Sequence, residues 1–201
     1  GLEFLLSIKD LTKVNISTDH PNGGPFTYYP AIFSWLMSQK ARENMLNKVD
    51  KAAKERSHLE DLSRELSLSE IAQVSRGSAA KILSLERKGH LGIGADADLA
   101  IYQFDCPIDQ LAQQPNAIEK GFAQTAYTIK EGVIIAKDGE IVSSLTGKTL
   151  RVQPEVPADW VALVQEALEE RFMRYYTVSL ANYPVQTAYF PREEVVTTYV
   201  K

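Results

Sequence analysis

The pattern of apolar and polar positions divides this chain near residue 89, with helical spacing dominating before it and short alternating runs after it. Val14-Asn15-Ile16-Ser17 alternates with a period of two and predicts a short strand, which Pro21, Gly23 and Gly24 prevent from simply continuing. Phe33, Trp35, Leu36 and Met37 form an apolar cluster after that loop, and Ala41 to His58 reads as one charged, solvated helix of weak amphipathicity. Ser67-Leu68-Ser69-Glu70 carries a helix start, with Ser67 or Ser69 as cap ahead of Ile71, Ala72 and Val74. Gly77 interrupts this helix, and Ala79 to Leu85 predicts another short one.

From Gly89 onward glycine and aspartate punctuate short β-type runs. Leu99-Ala100-Ile101-Tyr102 is a buried-strand candidate, and Ala123 to Ile129, Val133 to Ala136 and Glu140 to Ser143 predict a meander. Glu131-Gly132 and Asp138-Gly139 mark its turns. A helix follows over 157–174: Pro157 suits the first turn, and Trp160, Leu163, Val164, Ala167, Leu168 and Phe172 recur at helical spacing. The tail, rich in Tyr, Val and Thr and broken at Pro184 and Pro191, reads as extended segments. Its Tyr175, Tyr176, Tyr183, Tyr189 and Phe190 suit either core strands or a partner surface.

Composition narrows the classes. With 201 residues the chain can bury a sizeable core, and 44% hydrophobic with 24% charged residues, near the values of globular proteins, makes a folded chain the leading expectation. A net charge of -4 argues against a general nucleic-acid binder. No apolar run approaches the ~20 residues of a membrane span, so a cytoplasmic location and no membrane partner are expected. Cys106 is alone, which excludes an internal disulfide and a cysteine-only metal site. The chain opens on Gly1 without methionine and reads as a cut or processed start.

Candidate chemistry concentrates in Ser17-Thr18-Asp19-His20-Pro21-Asn22-Gly23-Gly24-Pro25-Phe26, where Asp19 ends the predicted strand. At the carboxyl end of a barrel strand a carboxylate can bind metal or take a proton; the alternative is a turn-capping aspartate. His20, beside proline, is read as bonding the loop backbone rather than a metal, and Asn22, Gly23 and Gly24 as shaping the turn. Asp96 and Asp98 are read as turn-structuring acids. Arg76 is a surface or capping charge, or else a contact for an anionic substrate tail. Gly92-Ile93-Gly94 lacks a third properly spaced glycine, which argues against a nucleotide loop.

Several segments together resemble the carboxyl-terminal part of the amidohydrolase-like subunit of formylmethanofuran dehydrogenase, and of the related subunit of the bacterial formyltransferase/hydrolase complex, within the amidohydrolases. They are Thr18 to Phe26, Tyr29-Pro30, Trp35-Leu36-Met37-Ser38, Gly89 to Tyr102 and Tyr176 to Val185. The resemblance implies an α/β plus β fold: the C-terminal portion of an amidohydrolase (β/α)8 barrel in residues 1–88, then composite β-sandwich strands with helix 157–174 and the tail in residues 89–201. Asp19 matches the aspartate that ends the eighth barrel strand, so the resemblance gives it the roles of metal ligand and proton shuttle.

The same resemblance implies a dinuclear zinc site in the complete protein. Its paired-histidine motif, carboxylated lysine and later histidines lie upstream of the region this chain represents, so the chain alone is expected to be inactive. The implied activity is hydrolysis or formation of the N-formyl amide of formylmethanofuran in one-carbon metabolism. Implied partners are the other subunits of such a complex, with self-association as a further way to cover exposed sheet edges. The alternatives are a non-catalytic assembly scaffold, and a fragment of another amidohydrolase of dihydroorotase-like or deaminase-like type.

Overall fold

The computed structural model describes residues 1–176, Ser179, Ala188 and 193–199. Contacts divide it into two compact units, Gly1–Leu145 and Thr146–Lys201. The boundary expected at 88/89 therefore runs inside the first unit, where helices and sheet share one body.

The first unit begins with α1 (Leu2–Ser7), then α2 (Tyr29–Met37), α3 (Gln39–Leu46) and α4 (Lys51–Glu55). The single helix expected over 41–58 is thus two helices. Asp50 explains the break, because its side chain accepts the Ala52 N–H and starts a new helix within the charged run. Of the two caps the sequence offered for α5 (Leu68–Ala72), Ser67 is the one used, and Glu70 completes a reciprocal capping box with it.

Gly77 does not interrupt the chain. A five-residue π-turn, Gln73–Gly77, carries the helix directly into α6 (Ser78–Ile82). The Gln73 side chain covers the bare Gly77 Cα and its Nε2 donates to Ser78 Oγ at 3.0 Å. Gly89 is the position that must be glycine: its φ is 77°, and a Cβ there would lie 2.6 Å from Ala80 Cβ, 2.9 Å from Arg76 O and 3.2 Å from Gly77 Cα.

Helix α7 (Pro115–Ala123) was not anticipated from the sequence; Pro115 at its first turn is the signal that marks it. It packs on α2, where Ser34 Oγ donates to Pro115 O at 3.3 Å. Phe122 meets Phe33, Tyr102 and Phe104 edge-on, with ring centroids 4.9 to 5.3 Å apart. Arg42 is buried beneath α3, and donates to the carbonyls of Trp35, Leu62 and Arg64 at 2.7, 2.8 and 3.0 Å. The core around these elements includes Leu36, Ile71, Val74, Leu111 and Ile118.

The sheet is antiparallel with order β1-β2-β3-β4: β1 (Leu99–Ile101), β2 (Tyr127–Lys130), β3 (Val133–Lys137) and β4 (Glu140–Ile141). Both meander turns are where the sequence puts them. Glu131 and Gly132 have φ of 50° and 81°, and Asp138 and Gly139 have 50° and 82°, the paired positive values that twist-matched hairpins require. The buried strand expected at Leu99–Tyr102 is instead an edge strand, with Ile101 45% exposed. Residues 1–98 contain no strand, and barrel closure is not seen in this chain.

In the second unit, β5 (Thr149–Glu155) pairs in parallel with β6 (Glu193–Tyr199), pinned at one end by Lys148–Glu194 and Arg151–Glu193 ion pairs. Helix α8 (Ala158–Tyr176) matches the expected helix within two residues and leaves Trp160, Leu163, Val164 and Leu168 exposed. Tyr175 and Tyr176 end it, both exposed. Tyr183, Tyr189 and Phe190, and most of the Tyr176 to Val185 segment, lie outside the described residues.

Candidate functional site

The candidate site is the loop between the extended segment Val14–Thr18 and α2. Val14–Ser17 is not a strand, because a strand needs a ladder and this segment makes one cross-chain backbone bond, from Ile16 N–H to Val74 O at 2.9 Å. That bond nevertheless holds the segment extended as it enters Asp19.

Asp19 adopts a φ of 49°, a left-handed conformation that aspartate and asparagine tolerate better than most residues. Its N–H donates to Ser17 Oγ at 3.2 Å, and its carbonyl accepts the Gly23 N–H at 2.9 Å. Gly23 is required for this turn, since a Cβ there would lie 2.7 Å from Thr18 O. Asn22, Gly23 and Gly24 therefore shape the loop as the sequence suggested. The Asp19 side chain is exposed, and among the described residues its carboxylate has no hydrogen-bond or ionic partner.

His20 is joined to Pro21 by a cis peptide. Its Nδ1 accepts the Phe26 N–H at 3.3 Å, and its ring meets that of Phe26 edge-on at 4.9 Å. This is the backbone bond expected of a loop-structuring histidine. Phe26 then opens a 3-10 turn, Phe26–Tyr28, that leads into α2, whose Phe33 is buried in the core. The loop is thus tied to the body at Val74 on one side and α2 on the other.

The remaining candidates fall elsewhere. Asp98 accepts from Lys88 Nζ at 2.6 Å, from Lys130 Nζ at 3.3 Å and from the Glu131 N–H at 2.9 Å. Burial pushes its carboxyl up, but the Lys88 hydrogen bond, the Glu131 amide and Lys130 outweigh this and hold it at about 2. The hydrogen bond from Lys88, aided by Arg87, also lowers the Asp96 carboxyl. Asp98 fastens the segment before β1 to the β2–β3 turn and Asp96 ties that segment to Arg87 and Lys88, the structural role read from the sequence.

Arg76 Nη2 donates to Tyr102 Oη at 2.9 Å and Nη1 to Ser75 Oγ at 2.5 Å, so it braces the π-turn against β1 and the chain that follows. Sequence spacing gave no sign of the Arg76–Tyr102 pairing. His58 lies 3.9 Å from Asp61, and His90 bonds Glu86 O and Gly92 N. Among the described residues no three His, Cys, Asp or Glu side chains converge as a metal site. An exposed, unpartnered carboxylate fits one place in a metal's ligand set. It does not make a centre by itself.

Over 191 residues the chain is 46% identical to "Protein FwdA" of Methanocaldococcus jannaschii, covering 94% of this chain and 33% of that protein. It is 37% identical over 193 residues to FhcA of the formyltransferase/hydrolase complex of Methylorubrum extorquens, again covering 94% of this chain and 33% of the relative. A crystal structure of the formyltransferase/hydrolase complex FhcABCD from Methylorubrum extorquens with methylofuran superposes with a TM-score of 0.74 at 34% identity, over 98% of this chain and 34% of that one. The chain therefore spans about a third of the length of the relatives it matches. The amidohydrolase family pattern matches residues 5–136, which take in the Asp19 loop, the helices around it and the sheet through β3, and the chain belongs to the amidohydrolase family.

Proposed function

We propose that this chain is the C-terminal part of an amidohydrolase-like subunit that cleaves, or in reverse forms, the N-formyl amide of formylmethanofuran, and that Asp19 is its reacting group. One observation carries the reading: a carboxylate without a partner among the described residues, on a loop locked at Gly23 and Phe26, in a chain that superposes on the Fhc complex. In the forward direction water adds to the formyl carbon while the Asp19 carboxylate takes its proton. The carbon–nitrogen bond then breaks, the proton passes to the departing nitrogen, and the products are formate and the free amine.

Asp19 supplies one ligand place, and the others come from an upstream region of the whole subunit, of whose relatives this chain spans about a third. Zinc bound there would make hydroxide available near neutral pH and polarise the formyl oxygen. The chain by itself is then inactive. The other subunits of the complex are its proposed partners, and the cytoplasm its location; no described helix is long and apolar enough to cross a membrane.

An assembly scaffold is the second reading. The apolar surface of Pro154, Pro157, Trp160, Val161 and Val164 in the second unit favours it.

The test is Asp19→Asn in the protein that includes the upstream region, assayed for formate release from formylmethanofuran. Asparagine keeps the shape and tolerates the positive φ, so turnover should fall by about 10²-fold or more with the fold intact. Unchanged turnover would remove Asp19 from the reaction and leave the scaffold reading.

A further inference from the structure

The three histidines of the chain are held in different ways, and among the described residues only one has a fixed ring with an open donor. His90 is saturated: its Nδ1 accepts the Gly92 N–H at 3.0 Å and its Nε2 bonds Glu86 O at 2.8 Å. His58 is 82% exposed and meets Asp61 only at 3.9 Å. His20 shares the first half of the His90 arrangement, with Nδ1 accepting a backbone amide, but among the described residues its Nε2 has no partner. An Nδ1 that accepts leaves the neutral ring protonated at Nε2. The Phe26 ring, edge-on at 4.9 Å, fixes the plane. His20 therefore presents an oriented Nε2–H outward from the residue next to Asp19.

We infer that His20 donates this Nε2–H to the carbonyl oxygen of the amide on which Asp19 acts. The inference rests on the proposed reaction at Asp19 and adds a substrate-contacting residue to it. The oxygen and nitrogen of an amide share one carbon, so a substrate whose nitrogen takes a proton from Asp19 places its oxygen within reach of an adjacent side chain. The loop bonds from Gly23 to Asp19 O and from Phe26 to His20 Nδ1 set the Asp19 backbone and the His20 ring before substrate arrives. A donor aimed where charge develops on that oxygen acts more strongly in the transition state than in the ground state.

Two substitutions separate this role from loop bracing. His20→Asn keeps an acceptor near the Nδ1 position for the Phe26 amide and removes the distal donor. His20→Gln places an amide donor near the Nε2 position. In the protein with its upstream region, acting on formylmethanofuran, His20→Asn should lower kcat/KM by about 10²-fold, the usual scale for one such donor, and His20→Gln should stay within about tenfold of the unaltered protein. Proton–nitrogen NMR of this chain should show the Nε2–H tautomer at His20. The inference is overturned if Asn matches the unaltered protein, if Gln and Asn lose equally, or if Nδ1 carries the proton. Asp19→Asn run alongside distinguishes the two failures: full activity there would refute the reaction at Asp19, whereas its loss beside an active His20→Asn would refute only the role of His20.

Discussion

Asp98 joins two parts of the chain that are 33 residues apart, and replacing it with asparagine should loosen the first unit in a way that depends on pH. Its carboxylate receives Lys88, Lys130 and the Glu131 N–H, with the side chain 30% exposed. Held at about 2 against an ordinary 3.8, the group contributes stability that is fully present above pH 3.8 and is lost as pH falls through about 2. At about 1.4 kcal/mol per pH unit the difference corresponds to roughly 2 kcal/mol. Solvent screening of a partly exposed group reduces this to about 1 kcal/mol. Urea unfolding followed by Trp35 fluorescence in a Trp160→Phe background would report the first unit, since these are the two tryptophans. At pH 7 Asp98→Asn should lower the midpoint by the equivalent of about 1 kcal/mol, and the gap from the unaltered chain should close between pH 4 and 2. A gap that is absent at pH 7, or that persists unchanged at pH 2, would refute the assignment of that stability to the ionised Asp98.

Three further substitutions probe the packing that positions the site. Arg42→Met would leave the Trp35, Leu62 and Arg64 carbonyls without their donor and should cost about 3 kcal/mol in urea unfolding, the scale of several buried groups left unpaired. Gly121→Ala would drive a methyl into the Phe104 ring and the Gln103 carbonyl; a loss of about 1–3 kcal/mol, read as a lower thermal midpoint, is expected. Ser67→Ala removes one half of the capping box and should cost about 1 kcal/mol by the same measurement, with faster amide exchange confined to the first turn of α5.

What the sequence conveyed about the fold follows the range of the forces involved. The turns at Glu131-Gly132 and Asp138-Gly139 were legible because a backbone with positive φ is a local demand that few residue types meet. The helix start at Ser67 was legible because few side chains can accept the free N–H groups of a first turn, while the choice of Ser67 over Ser69 and the reciprocal bond from Glu70 came with the structure. Gly77 misled because the helix continues through it as a π-turn, with the Gln73 side chain lying over its bare Cα, and glycine lowers helix propensity without forbidding a helix. Helix α7 was obscured by Pro115-Asn116, which reads as a turn, and by Gly121, which lowers propensity but is the surface on which Phe104 lies.

The candidate site was legible to the extent that it is contiguous. Pro21, Gly23 and Gly24 announce a turned loop, and Asp19 is the acid beside it, so residue types alone placed the carboxylate. The lock on His20 spans six residues and was within reach of sequence reasoning; its consequence, a donor left facing outward, needs the ring geometry. Arg76 shows the opposite limit. Its aromatic partner, Tyr102, sits 26 residues further on, and only the packing of the π-turn against the chain after β1 turns a prospective anion contact into a brace. Val14–Ser17 lies between these cases. Its alternation is that of a strand, yet alternation specifies only which face each side chain takes, and the ladder that makes a strand must come from neighbours. With a single bond to Val74 the segment holds Asp19 in place from one side. Adding the upstream region should therefore supply strand neighbours for residues 14–17 together with the remaining ligand places around Asp19, so that sheet pairing and site completion are one event; slowed amide exchange at Asn15 and Ser17 appearing with formyl-amide hydrolysis would bear this out, and hydrolysis without any such protection would separate the two.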